Sequence, residues 1–234
     1  MALTGISSMA TRHVLADLVE LAASDGLPRV EFTAVGGVEA ARRVAAGESF
    51  DLVVLAAGAL DELAADGHVD AATIRPLVLS QVAVGVPDAL VERAGRPEGV
   101  AYPDAGGVRA ALLEATKVGY STGPSGTALL RHVEDWGLMD AVGDKLVQAP
   151  AGIPVAQLLA EGTVDLGFQQ LSELVGQPGV RILGVLPDDC AIETTFSGAV
   201  GASASDPDAA AAVLGHFASG PAAAVKERHS FASH

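Results

Sequence analysis

The sequence predicts an α/β protein of two lobes, in which each lobe carries the same arrangement of strands, loops and helices. Three observations support this fold class: half of the 234 residues are apolar, strand patterns alternate with helix patterns, and one order of segments occurs twice. A chain of this length and apolar content buries a substantial core. Because Ala, Val, Leu and Gly dominate and aromatic residues are few, we expect helices packed on a mostly parallel sheet.

The first copy of the repeated unit begins at the N-terminus. A strand pattern over residues 2–6 leads into Ser7-Ser8 and a helix with apolar residues at helical spacing. A strand at 30–35, the turn Gly36-Gly37, a helix at 38–46 and a strand at 52–56 follow. This alternation predicts right-handed βαβ crossovers.

The second copy begins more than a hundred residues later. Its predicted segments are a strand at 118–120, a loop at 121–126 with a helix behind it, a strand at 146–149, a loop at 150–152, a helix at 154–160 and a strand at 165–168. The order of strands, loops and helices matches that of the first copy, and a serine-bearing loop again opens a helix.

The spacing between the loops also repeats. Ser7 and Gly36 are 29 positions apart, as are Ser121 and Pro150, and in both copies an aspartate follows 15 positions later. Chance recurrence of phrases common to βαβ proteins explains one such match, but the combined spacing favours an internal duplication.

Two β-rich stretches predict where the chain passes between the lobes. They lie at residues 77–86 and 194–200. We therefore expect residues 1–76 to form the first part of lobe 1 and residues 77–195 to form lobe 2. Residues 196–234 are expected to return to lobe 1 with two helices.

Net charge limits the classes of partner. The formal charge is −15, and the 14 basic residues are scattered along the chain. Nucleic-acid binding would need a basic stripe, so we expect no nucleic-acid partner. A small anion would have to be held by backbone N–H groups and helix N-termini, because the overall field repels it.

Cofactor and metal signals are absent from the sequence. Gly119, Gly123 and Gly126 do not match the dinucleotide fingerprint, and no Gly-Lys-Ser/Thr follows. The six histidines lack ligand spacing, and Cys190, the single cysteine, allows no intramolecular disulfide and is expected to be a buried, inert thiol. We expect no cofactor and no metal.

Targeting signals are absent as well. No apolar stretch reaches membrane-spanning length, and no basic, then apolar leader opens the chain. The sequence as it stands predicts a cytoplasmic protein without membrane insertion. The alternative is that a leader has already been removed from a longer precursor, in which case the protein is periplasmic or extracellular.

Candidate ligand-binding residues lie in the loops after the predicted strands. In open α/β sheets, ligands bind at the carboxyl ends of the strands, where hydroxyls donate hydrogen bonds and glycine permits close approach to the backbone. The candidates are Ser7, Ser8, Gly36, Gly37, Ala57, Ser121, Ser125, Gly126 and Gln169. Each candidate also has a purely structural interpretation. In it, Ser8 would only cap a helix, Ser125 and Gly126 would only form a turn, and Gln169 and Gln170 would be exposed to solvent. Arg12 and Arg42 are expected to lie on solvated faces of helices.

Four stretches of the chain resemble a known family. They are Gly5-Ile6-Ser7-Ser8-Met9-Ala10-Thr11-Arg12, Val35-Gly36-Gly37-Val38-Glu39-Ala40-Ala41, Gly119-Tyr120-Ser121-Thr122-Gly123-Pro124-Ser125-Gly126 and Gly167-Phe168-Gln169-Gln170-Leu171-Ser172-Glu173-Leu174. They are similar to the molybdate-binding-protein-like branch of the type II periplasmic binding proteins, a branch that also includes aconitate isomerase. The resemblance implies a type II fold with a ligand cleft between the lobes, which close on an oxyanion or small carboxylate.

Three functions are compatible with this resemblance. The first is a solute-binding protein of ABC-transporter type for a small anion, a carboxylate in preference to a tetrahedral oxyanion, with an ABC permease as partner if the chain is exported. The second is a cytoplasmic isomerase of a small unsaturated di- or tricarboxylate, for which Glu173 is the candidate base. The third is a ligand-sensing module.

Overall fold

A computed structural model of the protein describes residues 2–231. Residue 1 and residues 232–234, including His234, lie outside the described range. Its strands are β1 Leu3–Ser8, β2 Val30–Val35, β3 Leu52–Ala56, β4 Arg75–Pro87, β5 Val118–Tyr120, β6 Leu146–Gln148, β7 Leu166–Gln170, β8 Val180–Val185 and β9 Glu193–Val200. Its helices are α1 Arg12–Ser24, α2 Gly37–Ala45, α3 Ala57–Ala65, α4 Ala105–Glu114, α5 Pro124–Asp135, α6 Met139–Val142, α7 Val155–Ala160, α8 Leu171–Leu174, α9 Pro207–Phe217 and α10 Ala223–Arg228.

The chain divides into two compact units. Unit 1 comprises the residues up to Leu79 and those from Thr194 onward, and unit 2 comprises Ser80–Glu193. Strand β4 contains one division point, and β9 begins at the other. The chain therefore leaves and re-enters unit 1 along strands.

Unit 1 is built on parallel strands in the order β2-β1-β3, with β9 antiparallel to β3. One apolar cluster packs α1, α9 and the segment around Phe231 on one side, and a second packs α2 and α3 on the other. Both faces of the sheet are thus covered, as parallel strands require.

Unit 2 repeats this plan with different strands. Strands β7, β5 and β6 are parallel neighbours, and β4 pairs antiparallel with both β7 and β8. Helices α4 and α5 cover one face, and α7 and α8 cover the other. The units therefore share a core of three parallel strands with helices on both faces.

Local sequence signals explain several element ends. Asp104 and Asp206 cap α4 and α9 by accepting backbone N–H bonds at 3.0 and 3.1 Å. Gly47 and Gly162 follow α2 and α7 at φ of +87° and +68°, a conformation that glycine adopts without steric cost. The helices therefore begin and end where the chain supplies caps and glycines.

Three predicted boundaries were wrong. Ser7 and Ser8 were expected in a loop after a strand at 2–6, whereas they are the last two residues of β1 and pair with β2. Ser125 and Gly126 were expected in a loop at 121–126, whereas they lie in the first turn of α5.

The predicted strand ends at residue 168, with Gln169 and Gln170 in a loop, whereas β7 continues to Gln170. The reason is tertiary: Gln169 and Gln170 pair with Ala83 and Val82 of β4. Both side chains are buried, so their interpretation as solvated residues is wrong as well.

Candidate functional site

The parallel strands of unit 1 bring its candidate residues to one sheet edge. Ser8 of β1 is paired with Val35 of β2, and Ser7 is paired with Val54 of β3. The loops that follow these strands open α2 at Gly36-Gly37 and α3 at Ala57. Ser7, Ser8, Gly36, Gly37 and Ala57 therefore all lie at the carboxyl end of this sheet.

The Ser7 hydroxyl is a buried polar group without a partner. Ser7 is completely buried, and its Oγ has no hydrogen-bond partner among residues 2–231. Leaving a buried hydroxyl unpaired costs about 1–3 kcal/mol. Such a group at the carboxyl edge of a sheet is a donor available to a bound molecule.

Ser8 caps a short turn and also lies next to the start of α2. Its Oγ accepts the Ala10 N–H at 3.4 Å, a long bond that caps the short 3₁₀ turn before α1. A Cβ placed on Gly37 would lie 3.7 Å from the same hydroxyl, so Ser8 is a close neighbour of the first residue of α2. The capping interpretation is therefore correct, and it does not remove Ser8 from this edge.

The N-termini of α2 and α3 are not capped by the side chains of their N-cap residues. Gly36 and Ala56 occupy the N-cap positions, and the first bond within α2 runs from the Ala40 N–H to the Gly36 carbonyl at 2.8 Å. The first N–H groups of both helices thus have no acceptor inside their own helix. Together with the helix dipoles they make this edge favourable for a negative charge.

Unit 2 brings its candidate residues together in a comparable way. Tyr120 at the end of β5 is paired with Gln148 of β6 and with Phe168 of β7. Ser121 and the start of α5 follow β5, while Gln169 lies one residue beyond the paired Phe168. Ser121, Ser125, Gly126 and Gln169 thus lie at the carboxyl ends of β5 and β7.

The loop from Ser121 to Gly126 is held by internal contacts. The Ser121 and Ser125 hydroxyls lie 2.8 Å apart, and either can donate to the other. A Cβ on Gly126 would lie 1.8 Å from the Ser121 carbonyl oxygen, so only glycine fits. Ser125 and Gly126 lie in the first turn of α5, so their interpretation as a turn alone is wrong, and this helical turn fixes the two hydroxyls.

Gln169 is oriented by a backbone group. Its Oε1 accepts the Ala156 N–H of α7 at 3.0 Å. Because that donor requires an oxygen, the opposite end of the amide is the NH₂ group, which can only donate. The side chain therefore presents a donor whose orientation is set by α7.

A row of glycines allows α7 to lie close to the sheet. Gly85, Gly167 and Gly119 are paired across β4, β7 and β5. A Cβ on Gly167 would lie 2.7 Å from Val155 and 2.8 Å from Leu159. Side chains at these positions would push α7 outward and break its bond to Gln169.

A second buried amide extends this network. Ser80 of β4 is completely buried and donates its hydroxyl to Gln170 Oε1 at 2.6 Å. Ser80 and the Ala156 N–H are not among the candidates from the sequence, because neither lies in a predicted loop. Each takes part through a hydrogen bond to a residue that is not its neighbour in the sequence.

The candidate loops contain no Lys or Arg. Arg42, in the nearby α2, makes a double hydrogen bond to Glu39 at 2.8 and 2.7 Å. This bond lowers the pKa of Glu39, so the carboxylate stays ionised and the guanidinium stays engaged. Any anion at these loops would be held by hydroxyl, amide and backbone donors.

The repeated aspartates lie at the start of the parallel strands and have a structural role. Asp51 accepts bonds from both N–H and hydroxyl of Thr4 and of Ser205, at 2.7–3.1 Å. Asp165 accepts the Thr116 and Lys117 N–H groups at 2.8 and 2.7 Å. Burial favours the neutral acid in each case, but the donors outweigh it, so the pKa of both groups lies below the ordinary value of 3.8.

The described part of the chain shows neither a metal-binding cluster nor a reactive thiol. Residues 2–231 contain no group of three His, Cys, Asp or Glu side chains arranged to hold a metal. Cys190 is buried, and desolvation raises the pKa of its thiol to about 11, which keeps it protonated. His216 bonds to Asp25, the residue after α1, and His229 bonds to Asp17 of α1.

The comparisons with known proteins identify the family. Residues 3–232 match the model of the bacterial extracellular solute-binding protein family. This chain is a member of that family. The family resemblance predicted from the sequence is therefore confirmed. The loops of both units are accordingly loops of a solute-binding family member.

Individual relatives agree with this assignment. The chain is 35% identical to an aconitate isomerase from Pseudomonas sp. over 188 residues, which cover 79% of this chain and 68% of that protein. The periplasmic molybdate-binding protein of Azotobacter vinelandii has a TM-score of 0.76 at 16% identity, with 98% of each chain covered. The tungstate ABC transporter protein of Geobacter sulfurreducens has a TM-score of 0.70 at 16% identity, with 97% of this chain and 98% of that chain covered.

The two structural matches confirm the α/β fold class that the sequence predicts. At this level of identity they bear on the fold alone. No helix within residues 2–231 has both the length and the apolar character needed to cross a bilayer.

Proposed function

We propose that this solute-binding family member binds one small anion, a carboxylate, through loops at the carboxyl ends of its parallel strands. The observation that carries the proposal is the Ser7 hydroxyl, which is buried and unpartnered within the described residues. It lies beside Ser8 and at the same sheet edge as the N-termini of α2 and α3. Only a group that accepts hydrogen bonds satisfies all these donors at once.

The loops of unit 2 support the same ligand chemistry. Ser121 and Ser125 supply hydroxyls, and Gln169 supplies an amide donor whose orientation α7 sets. In this proposal the loops of each unit supply the same kinds of hydrogen-bond donor for an anion, and no metal or cofactor takes part. An ABC permease is the partner if the chain is exported.

A ligand panel tests the proposal. The protein would be mixed separately with carboxylates and with inorganic oxyanions, and its melting temperature and the proton NMR spectrum of each mixture would be recorded. A binding protein raises its melting temperature with its ligand and leaves the ligand spectrum unchanged. If no member of either class changes the melting temperature, the anion-binding proposal fails.

Two serine variants test the proposed loops. Ser8→Ala and Ser121→Ala should each weaken binding of the panel's best anion by about 10- to 150-fold, since a donor to a charged acceptor contributes about 1.5–3 kcal/mol. Ser24→Ala and Thr163→Ala, at exposed positions of the same two units, are the controls. Unchanged affinity in both loop variants, with stability retained, would move the site elsewhere.

The second candidate function is isomerisation of a small unsaturated tricarboxylate. The identity to an aconitate isomerase favours it. In this reaction a base removes an allylic proton, the double bond shifts, and the proton returns at the other carbon. Glu173 in the first turn of α8, three residues after Gln170, is the candidate base.

The same panel separates the two functions. With aconitate, an isomerase produces new proton resonances over time, and Glu173→Gln should abolish them while the melting-temperature shift persists. A shift without new resonances identifies a binding protein instead.

A further inference from the structure

The turn between β1 and α1 contains a buried threonine that does not cap its own helix. Thr11 is 1% exposed and occupies the N-cap position of α1, but its side chain makes no capping bond to that helix. Its Oγ1 instead donates a buried hydrogen bond to the Ser8 carbonyl at 3.0 Å. Threonine is favoured at N-caps because its oxygen accepts a helix N–H. The Thr11 hydroxyl therefore holds the end of β1 and not the start of α1.

A second turn of unit 1 has the same pattern of hydrogen bonds. In the 3₁₀ turn before β4, the Asp70 side chain accepts the Ala72 N–H at 3.0 Å, and the Thr73 hydroxyl donates to the Asp70 carbonyl at 2.7 Å. Thr73 also accepts the Val200 N–H at 2.9 Å. Because Val200 is paired with Leu52, the first residue of β3, this turn lies at the amino edge of the parallel strands. It is a matched reference, away from the candidate loops, for the turn at Ser8.

The two turns differ in how firmly their N-cap side chains are held. The Ser8 Oγ accepts the Ala10 N–H at 3.4 Å, against 3.0 Å for the equivalent bond of Asp70. A bond of this length is weak and leaves the direction of the hydroxyl poorly fixed. A serine hydroxyl has one proton and two lone pairs, so Ser8 can accept this bond and still donate to an anion. The shorter bond from Thr11 fixes the backbone from which that hydroxyl extends.

We propose that Thr11 is a positioning residue for anion binding: by holding the Ser8 carbonyl, it aligns the Ser8 hydroxyl before the anion arrives. The inference rests on the proposed function, which takes Ser8 as a donor to the anion. A side chain that becomes ordered only on binding weakens affinity, because its lost freedom opposes association. The Thr11 bond orders this donor in advance, so Thr11 acts only through Ser8.

Two substitutions of Thr11 separate its hydroxyl from its shape. Calorimetric titration of the unmodified full chain first identifies the tightest anion of the panel, which includes aconitate, succinate, sulfate and molybdate. Thr11→Val keeps the branched shape and removes the hydroxyl, so the affinity for that anion should fall by about three- to tenfold. Thr11→Ser keeps the hydroxyl and should stay within about twofold of the unmodified protein. Circular dichroism confirms folding, and Thr11→Ala replaces Thr11→Val if the valine variant does not fold.

A double variant tests whether Thr11 acts through Ser8. In a Ser8→Ala background the aligned hydroxyl is gone, so adding Thr11→Val should change affinity by less than about twofold. A residue that only supported the unit as a whole, or that bound the anion itself, would cause the same loss in both backgrounds.

Thr73→Val is the matched control. It removes a hydroxyl from the same kind of turn in the same unit, and it also deprives the Val200 N–H of its acceptor. It should therefore lower the melting temperature while leaving anion affinity within about twofold. This control measures what destabilising unit 1 does to binding when the turn at Ser8 is unaltered.

The possible failures are distinct. Unchanged affinity in Thr11→Val, equal losses in Thr11→Val and Thr11→Ser, additive losses with Ser8→Ala, or an equal loss in Thr73→Val would each overturn the positioning role while anion binding stands. If the unmodified protein binds no anion of the panel, the proposed function fails and the inference fails with it.

Discussion

The two units share a scaffold but differ in how their candidate loops satisfy polar groups. In unit 1 the Ser7 hydroxyl is unpartnered within the described residues. In unit 2 the Ser121 and Ser125 hydroxyls bond to each other, and Gln169 bonds to α7. The two units therefore have a similar framework but different loops: in unit 1 one buried hydroxyl is left unsatisfied, whereas unit 2 holds its hydroxyls and its amide in position.

The same contrast appears at the repeated aspartates. Asp51 of unit 1 is buried and accepts four hydrogen bonds, two of them from Ser205. Asp165 of unit 2 is exposed and accepts two backbone N–H groups. The first connects a strand to a distant part of the chain, whereas the second only stabilises the start of β5.

The largest expected effect comes from removing these carboxylates. Asp51→Ala should lower the free energy of unfolding by about 3–4 kcal/mol, because it removes the acceptor of four part-buried hydrogen bonds, and Asp165→Ala by only about 1 kcal/mol. Urea denaturation followed by circular dichroism gives both values. Asp61→Ala, at an exposed position of α3, is the control and should change stability by less than about 0.5 kcal/mol.

Fluorescence sharpens this comparison between the units. Trp136, the single tryptophan, lies in unit 2 and stacks on His132 at 5.2 Å between ring centres. If the units unfold separately, Asp51→Ala should shift the circular dichroism transition and leave the fluorescence transition in place. Equal losses of unfolding free energy in Asp51→Ala and Asp165→Ala would contradict the larger contribution assigned to Asp51.

Acid should destabilise the protein through the same two groups. Because the folded pKa of Asp51 and of Asp165 lies below the unfolded value of 3.8, their contribution is complete well above pH 3.8 and is lost as the pH falls through the folded pKa. The free energy of unfolding should therefore decrease below about pH 4. Asp51→Asn should be less stable at neutral pH and show a shallower decrease, whereas a parallel decrease would exclude Asp51 as a source.

Serine removal should have opposite effects on the stability of the two units. Ser7→Ala should raise the free energy of unfolding by about 1 kcal/mol, since it removes an unpaired buried hydroxyl, while weakening anion binding. Ser125→Ala should lower it by about 1 kcal/mol, because its bond to Ser121 is lost. Thermal melts with and without the best anion of the panel measure both quantities. Destabilisation by Ser7→Ala would show that the hydroxyl has a structural partner.

The smallest expected effect is that of salt on anion affinity. Fixed hydroxyl, amide and backbone donors are screened less than exposed charges, so affinity should change by less than about twofold between low and physiological ionic strength. A chelator should leave affinity unchanged. A steep fall with salt would instead identify exposed arginines such as Arg12 as the anchors, and loss of binding with chelator would reveal a metal.

The sequence predicts best where a residue acts on its own neighbours. The strand at 118–120 follows from the local sequence, and β5 has these bounds. Helix α4 lacked such a signal, because Gly106 and Gly107 in its first turn disfavour a helix. The Asp104 side chain compensates by accepting the Gly107 N–H at 3.0 Å.

The sequence by itself determined the α/β class, the duplicated order of elements and the loops that carry candidate donors, because periodicity, glycines and spacing are local properties of the chain. Only the tertiary structure decided which of those donors are already satisfied. Ser205 reaches Asp51 across 154 positions, and Ser80 reaches Gln170 across 90. No local pattern encodes such pairs, since the energy of a buried hydrogen bond depends on which distant group the fold places beside it.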